Sequence, residues 1–192
     1  MADDTAQEES RTAAICAVAE LNEEAVALMR PDAHPRDYVA LLMDRQLFAD
    51  AVRFLAHALP KREAVWWAWA CARRTAGEQP TPKIKAALDA CEKWIMEPSE
   101  DNRRAAMAAA QLAGISTASG CAALSVFFSG GSLGPPDAPA VPPGEYLTAK
   151  TVAGSVIMAA VSQEPEKGPE KFRSFVAQGI AVTNQIKLWE PA

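Results

Sequence analysis

The sequence predicts an all-α protein, a compact multi-helix bundle of about eight or nine helices with antiparallel neighbours. Three observations lead there. Forty of the 192 residues are alanine, the best helix former. Apolar residues recur at three- and four-residue spacing along most of the chain. Long β-branched runs and Asn-Gly or Asp-Gly hairpin turns are missing. A chain of this length can bury a substantial interior without disulfides or metals.

The elements follow in order. Residues 1–10 read as an acidic tail, with a single helical domain over 11–192. Ile15, Val18, Leu21, Val26 and Leu28 predict a first helix from Thr12 to Met29, ended by a turn between Pro31 and Pro35. A second is expected from Arg36 to Arg45. A third carries Phe48, Val52, Leu55 and Leu59 and stops at Pro60. The fourth spans Arg62 to Thr75, and the stretch 36–76 has the character of a helical-repeat pair. Thr81 and Pro82 form a cap and first-turn signal for a helix reaching Met96. Ser99, followed by Glu100 and Asp101, starts another that runs to Leu112.

A Gly-Ile-Ser-Thr turn leads into a helix from Thr117 to Phe128. The segment 129–144 holds five prolines and four glycines, so it reads as an irregular linker or surface loop. A helix from Glu145 to Val161 and a final one from Glu170 complete the chain. The last presents Phe172, Phe175, Val176, Gly179, Val182, Ile186 and Trp189 on one face.

Charge and composition exclude several functions. The net charge of −5 is concentrated in residues 1–60, with 11 acidic and 5 basic side chains, so no basic face is available to a nucleic-acid backbone. The charge-free tract from Ala105 to Pro136 is too rich in Gly, Ser and Thr to span a membrane, and two buried helices fit it better. No secretory signal opens the sequence, so a cytoplasmic location is expected. Cys16, Cys71, Cys91 and Cys121 lack zinc-ligand spacing and read as buried thiols. His34 and His57 are the only histidines, and no HExxH, GxSxG or phosphate-loop motif occurs. Catalytic residues, metals and cofactors are therefore not expected.

The candidate functional residues are Arg62, Trp66, Trp67, Arg73 and Arg74. Between the charged groups Lys61–Glu63 and Arg73–Arg74, the uncharged run Ala64–Ala72 holds three of the five tryptophans. At ~100° per residue, Trp69 shares a face with Trp66, whereas Trp67 points about 160° away from Trp69. Core packing accounts for one or two indoles. Burial of all three is the favoured reading; if one is exposed, Trp67 near Arg74 is the expected one, since an aromatic beside an arginine is the composition of an interaction hot spot.

The run Leu55–Arg73, with LPKREAVWW at its centre, resembles the signature segment of a bacterial all-helical family of unknown function. Trp94, Pro98, Arg104, Ala105, the Phe127-Phe128-Ser-Gly-Gly segment, Phe172 and Gly179 fit its second half, so the resemblance covers roughly residues 30–188. It implies a place among type VI secretion genes and a partner such as a secretion effector or a spike or adaptor component. The expectation is a non-enzymatic adaptor, chaperone-like protein or scaffold. The alternative is a small-molecule-binding or catalytic helical bundle.

Overall fold

The computed structural model describes residues 11–30 and 32–190, and all of the regular structure among them is helical. The expected acidic tail 1–10 and Pro31 lie outside the described residues. The helices are α1 (11–18), α2 (Glu23–Ala27), α3 (Pro35–Asp44), α4 (Phe48–Ala58) and α5 (Lys61–Ala76). They continue with α6 (Pro82–Met96), α7 (Glu100–Ala113), α8 (Ala118–Phe127), α9 (Leu147–Val161) and α10 (Gly168–Gln185), the last preceded by a 3-10 turn at Pro165–Lys167.

The expected first helix is in fact two. Glu20 adopts a positive φ of 51°, which breaks the helix, and Asn22 restarts it by accepting a 2.7 Å hydrogen bond from the Ala25 N–H. The buried carboxylate of Asp50 fixes this corner, accepting from Asn22 N at 2.9 Å and Asn22 Nδ2 at 2.8 Å. Tyr38 donates its hydroxyl to Ala25 O at 2.7 Å, tying α2 to α3. Thus α4 and α3 together dictate the break.

Helices α8 and α9 form the middle of the molecule. Nine residues of α8, from Ala118 to Phe127, are buried, and Ser155 of α9 donates to Ala118 O at 2.8 Å. Small side chains allow this approach. Around the pair, α7 and α6 pack on α8, while α4 and α10 pack on α9. Across Pro60, α4 contacts α3, α9 and α10, and α5 contacts α6, α8, α9 and α10, so the two helices share α9 and α10 as neighbours. The turn into α8 depends on Gly120, where a Cβ would stand 2.1 Å from Gly114 O.

The Pro/Gly-rich segment 129–144 is irregular, as expected, but α7 holds it in place. Arg103 has a side chain only 4% exposed. It bonds Glu100 through Nε and Nη2, each at 2.7 Å, and donates to Phe127 O at 2.5 Å and Ser132 O at 2.9 Å. Its guanidinium also lies 4.6 Å from the Phe127 ring centroid. The neighbouring Arg104 reaches Glu100 and Gly134 O, at 2.6 and 3.0 Å.

Among the described residues, no helix is long and apolar enough to cross a membrane. The four cysteines are free and buried, and burial pushes the thiols of Cys71 and Cys121 up to about 12 and about 11. Such thiols are poor nucleophiles.

Candidate functional site: the outer face of α5

Helix α5 starts after Pro60, which cannot continue α4, and ends at Gly77 with φ 76°. One side of it, with Ala64, Val65, Ala68, Cys71 and Ala72, is buried in the core. The other side carries Trp66, Trp69, Ala70 and Arg73, an i, i+3, i+4, i+7 stripe. This stripe is the floor of a furrow walled by α6 and α10.

Two recesses make up the furrow and meet at Trp66. The larger, of about 980 Å³, is bordered by Trp66, Trp69, Arg73, Arg74, Asp89 and Gln178 among others. The smaller, of about 290 Å³, lies between Arg62, Trp66, Ile95, Val182 and Ile186. From Arg62 to Gly77, helical rise gives a length of ~22 Å.

Four of the five candidate residues line this furrow. Trp69 is half-buried and donates its indole N–H to Leu88 O at 3.1 Å, which anchors it to α6. Arg73 lies 5.2 Å from the Trp69 ring centroid and 4.0 Å from Glu92. Arg74 covers the Phe175 ring at 4.5 Å and donates to Ser174 Oγ at 2.9 Å. Arg62 donates to Ile95 O at 2.8 Å. Trp66 is half-buried at the junction of the two recesses, and its indole N–H has no acceptor among the described residues.

Trp67 is buried, as the core reading expects, so the conditional choice of Trp67 as the exposed indole is corrected. It is 0% exposed, wedged between α4 and α10, and donates its N–H to Phe175 O at 2.8 Å. The reason is geometric: the ~160° that separates it from Trp69 turns it into the bundle. The partly exposed indoles are Trp66 and Trp69. Sequence reasoning missed the furrow walls, Gln178 and Gln185 on α10 and Lys85 and Asp89 on α6. No local pattern marks them, because only tertiary packing brings them beside α5.

The lining carries Arg62, Arg73, Arg74 and Lys85 against Glu63, Glu78, Asp89 and Glu92, so its charge balances. Lys85 already pairs with Asp89 at 2.5 Å. Among the described residues, no three His, Cys, Asp or Glu side chains cluster as metal ligands. His57 lies away from the furrow. Its Nδ1 donates to Arg53 O at 2.8 Å, its buried Nε2 has no partner among the described residues, and burial holds it below the usual histidine value.

Among the described residues, fold and site together define an all-helical body with an open furrow of aromatic and charged side chains. The chain belongs to DUF6931, a family of unknown function, whose model matches residues 38–183. No curated protein and no solved structure matches it.

Proposed function

We propose that the protein is a non-enzymatic adaptor or scaffold that seats a segment of a protein partner along the α5 furrow. The observation that carries this reading is Trp66, held half-buried where the two recesses meet, with its indole N–H unpaired. A half-buried indole with a free donor is a ready anchor, and burying its remaining apolar area contributes on the order of 1–2 kcal/mol to binding. Arg73, stacked on Trp69, supplies the second element of a hot spot. The length and the exposed helical stripe suit a partner helix of about four turns. An accessory role in a cytoplasmic type VI secretion assembly, with an effector or a spike or adaptor component as partner, is the process we favour. It rests on the sequence resemblance alone.

The test is affinity capture with the wild type and with Trp66→Ala plus Arg73→Ala, both confirmed as folded by circular dichroism. Loss of one defined partner from the variant supports the reading; identical partners for both proteins remove it. The size of the larger recess favours a second reading, a small-molecule-binding or catalytic helical bundle. That reading predicts thermal stabilisation by a metabolite which Trp66→Ala abolishes.

A further inference from the structure

We propose that the recess where α6 and α8 begin is a binding site for a small oxyanion, with Ser119 at its floor. The recess has a volume of about 360 Å³ and is bordered by Thr81, Ile84, Ser116, Ala118, Ser119 and Ser162 among others. No ionisable side chain lines it, and eight of its thirteen lining residues carry a hydroxyl or a side-chain amide.

Two independent observations meet there. The first is the start of α8, a helix of 10 residues whose first three, Ala118, Ser119 and Gly120, are all buried. Thr117 Oγ1 takes up the Gly120 N–H at 3.0 Å, and Cys121 N bonds to Thr117 O at 2.9 Å. The N–H groups of Ala118 and Ser119 have no acceptor among the described residues. A buried helix start with open donors needs an outside oxygen to satisfy them.

The second observation is Ser119 itself. It is 3% exposed, it lines this recess, and its hydroxyl has no hydrogen-bond partner among the described residues. Two backbone N–H groups and one hydroxyl therefore offer three donors at one place, the arrangement by which helix starts hold oxyanions. Across the recess α6 also begins, and its cap residue Thr81 makes no side-chain cap hydrogen bond.

The last turn of α5, through Thr75 and Ala76, and the α9 cap Ser162 border the same space. The dipoles of two helix starts are thus offset by two helix ends, and recognition rests on short hydrogen bonds. Affinity is accordingly modest, on the order of millimolar. Inorganic phosphate and a phosphate monoester share the chemistry required, and the two can be compared directly.

The site is separate from the α5 furrow, so its fate does not depend on the adaptor reading. The experiment is an NMR titration of the 15N-labelled full chain with inorganic phosphate, with sodium chloride at matched ionic strength as control. The amide signals of Ala118 and Ser119 should shift saturably with phosphate and not with chloride. Ser119→Ala, which keeps the volume and removes the hydroxyl, should weaken binding roughly fivefold to tenfold. Ser119→Asp, which removes the hydroxyl and sets a negative charge beside the same N–H groups, should abolish it. A phosphate monoester such as glycerol phosphate binding more tightly would identify the substituted form as the ligand; equal or weaker binding would identify free phosphate. The proposal is overturned if neither amide shifts saturably, if chloride reproduces the shift, or if Ser119→Ala binds as wild type does.

Discussion

The indole of Trp67 fills the space that a side chain at Gly179 would occupy. A Cβ there would stand 3.0 Å from Trp67 Cε2, 3.1 Å from Cζ2 and 3.3 Å from Leu55 Cδ1. One turn earlier on the same helix, Phe175 O accepts the indole N–H. Trp67 therefore grips α10 by packing on its backbone and by a hydrogen bond to it.

Gly179→Ala should destabilise the protein by about 1–2 kcal/mol, because Trp67 and Leu55 are both fully buried and cannot retreat. Helix propensity alone would favour alanine by ~1 kcal/mol, so the sign is diagnostic. Urea denaturation measures it, and an increase in stability would contradict the packing described.

Arg103→Ala should cost about 1–3 kcal/mol, chiefly because Phe127 O loses its donor, while Glu100 and Ser132 O keep Arg104. The 129–144 segment should then become the first site of limited proteolysis. Arg103→Lys should rescue little, because an ammonium cannot reproduce the planar fork that meets a carboxylate and two carbonyls.

Stability should fall in two separate acid steps. Burial holds His57 below 6.5, so as pH drops through that value the unfolded chain takes up a proton that the folded chain resists. The loss levels off once the folded histidine also protonates, and His57→Gln should flatten it. The second step involves Glu100, whose carboxyl is held down at about 2 from an ordinary 4.5, chiefly by its hydrogen bonds to Arg103. Its contribution is complete above 4.5 and disappears as pH falls towards about 2. Glu20 beside Lys150 and Glu164 beside Lys167 are shifted in the same direction. Glu100→Gln should therefore shrink the second step without removing it, as thermal melts across pH would record.

Acrylamide should quench Trp66 and Trp69 but not Trp67. In single-tryptophan variants with phenylalanine elsewhere, the emission of Trp67 should be the most blue-shifted of the three. Efficient quenching of Trp67 would contradict its burial.

Most of the fold was legible because the punctuation is local. Pro60, Gly77, Pro82, Pro98 and Ser99 mark helix ends where the chain has them. What was not legible depends on distant partners. The break at Glu20 is fixed by Asp50 through Asn22, and periodicity alone runs straight across it. Likewise α10 stops at Gln185, where Leu188 N bonds to Thr183 O and Lys187 takes φ 53°; Trp189 then packs from a turn rather than from the helix. At the site, the run Ala64–Ala72 identified α5, and helical angles put Trp66 and Trp69 on one face. Which face met the core depended on Gly179, in a helix far along the chain, whose missing Cβ admits Trp67.

The most direct measurement is photo-crosslinking in cells from a benzophenone amino acid placed at position 70, in the floor of the furrow, with position 86 on the exposed side of α6 as control. The account predicts one defined protein adduct from position 70, absent from position 86 and lost when Trp66→Ala and Arg73→Ala are added. No adduct from position 70, or the same adduct with Trp66 and Arg73 removed, would contradict a partner seated on α5.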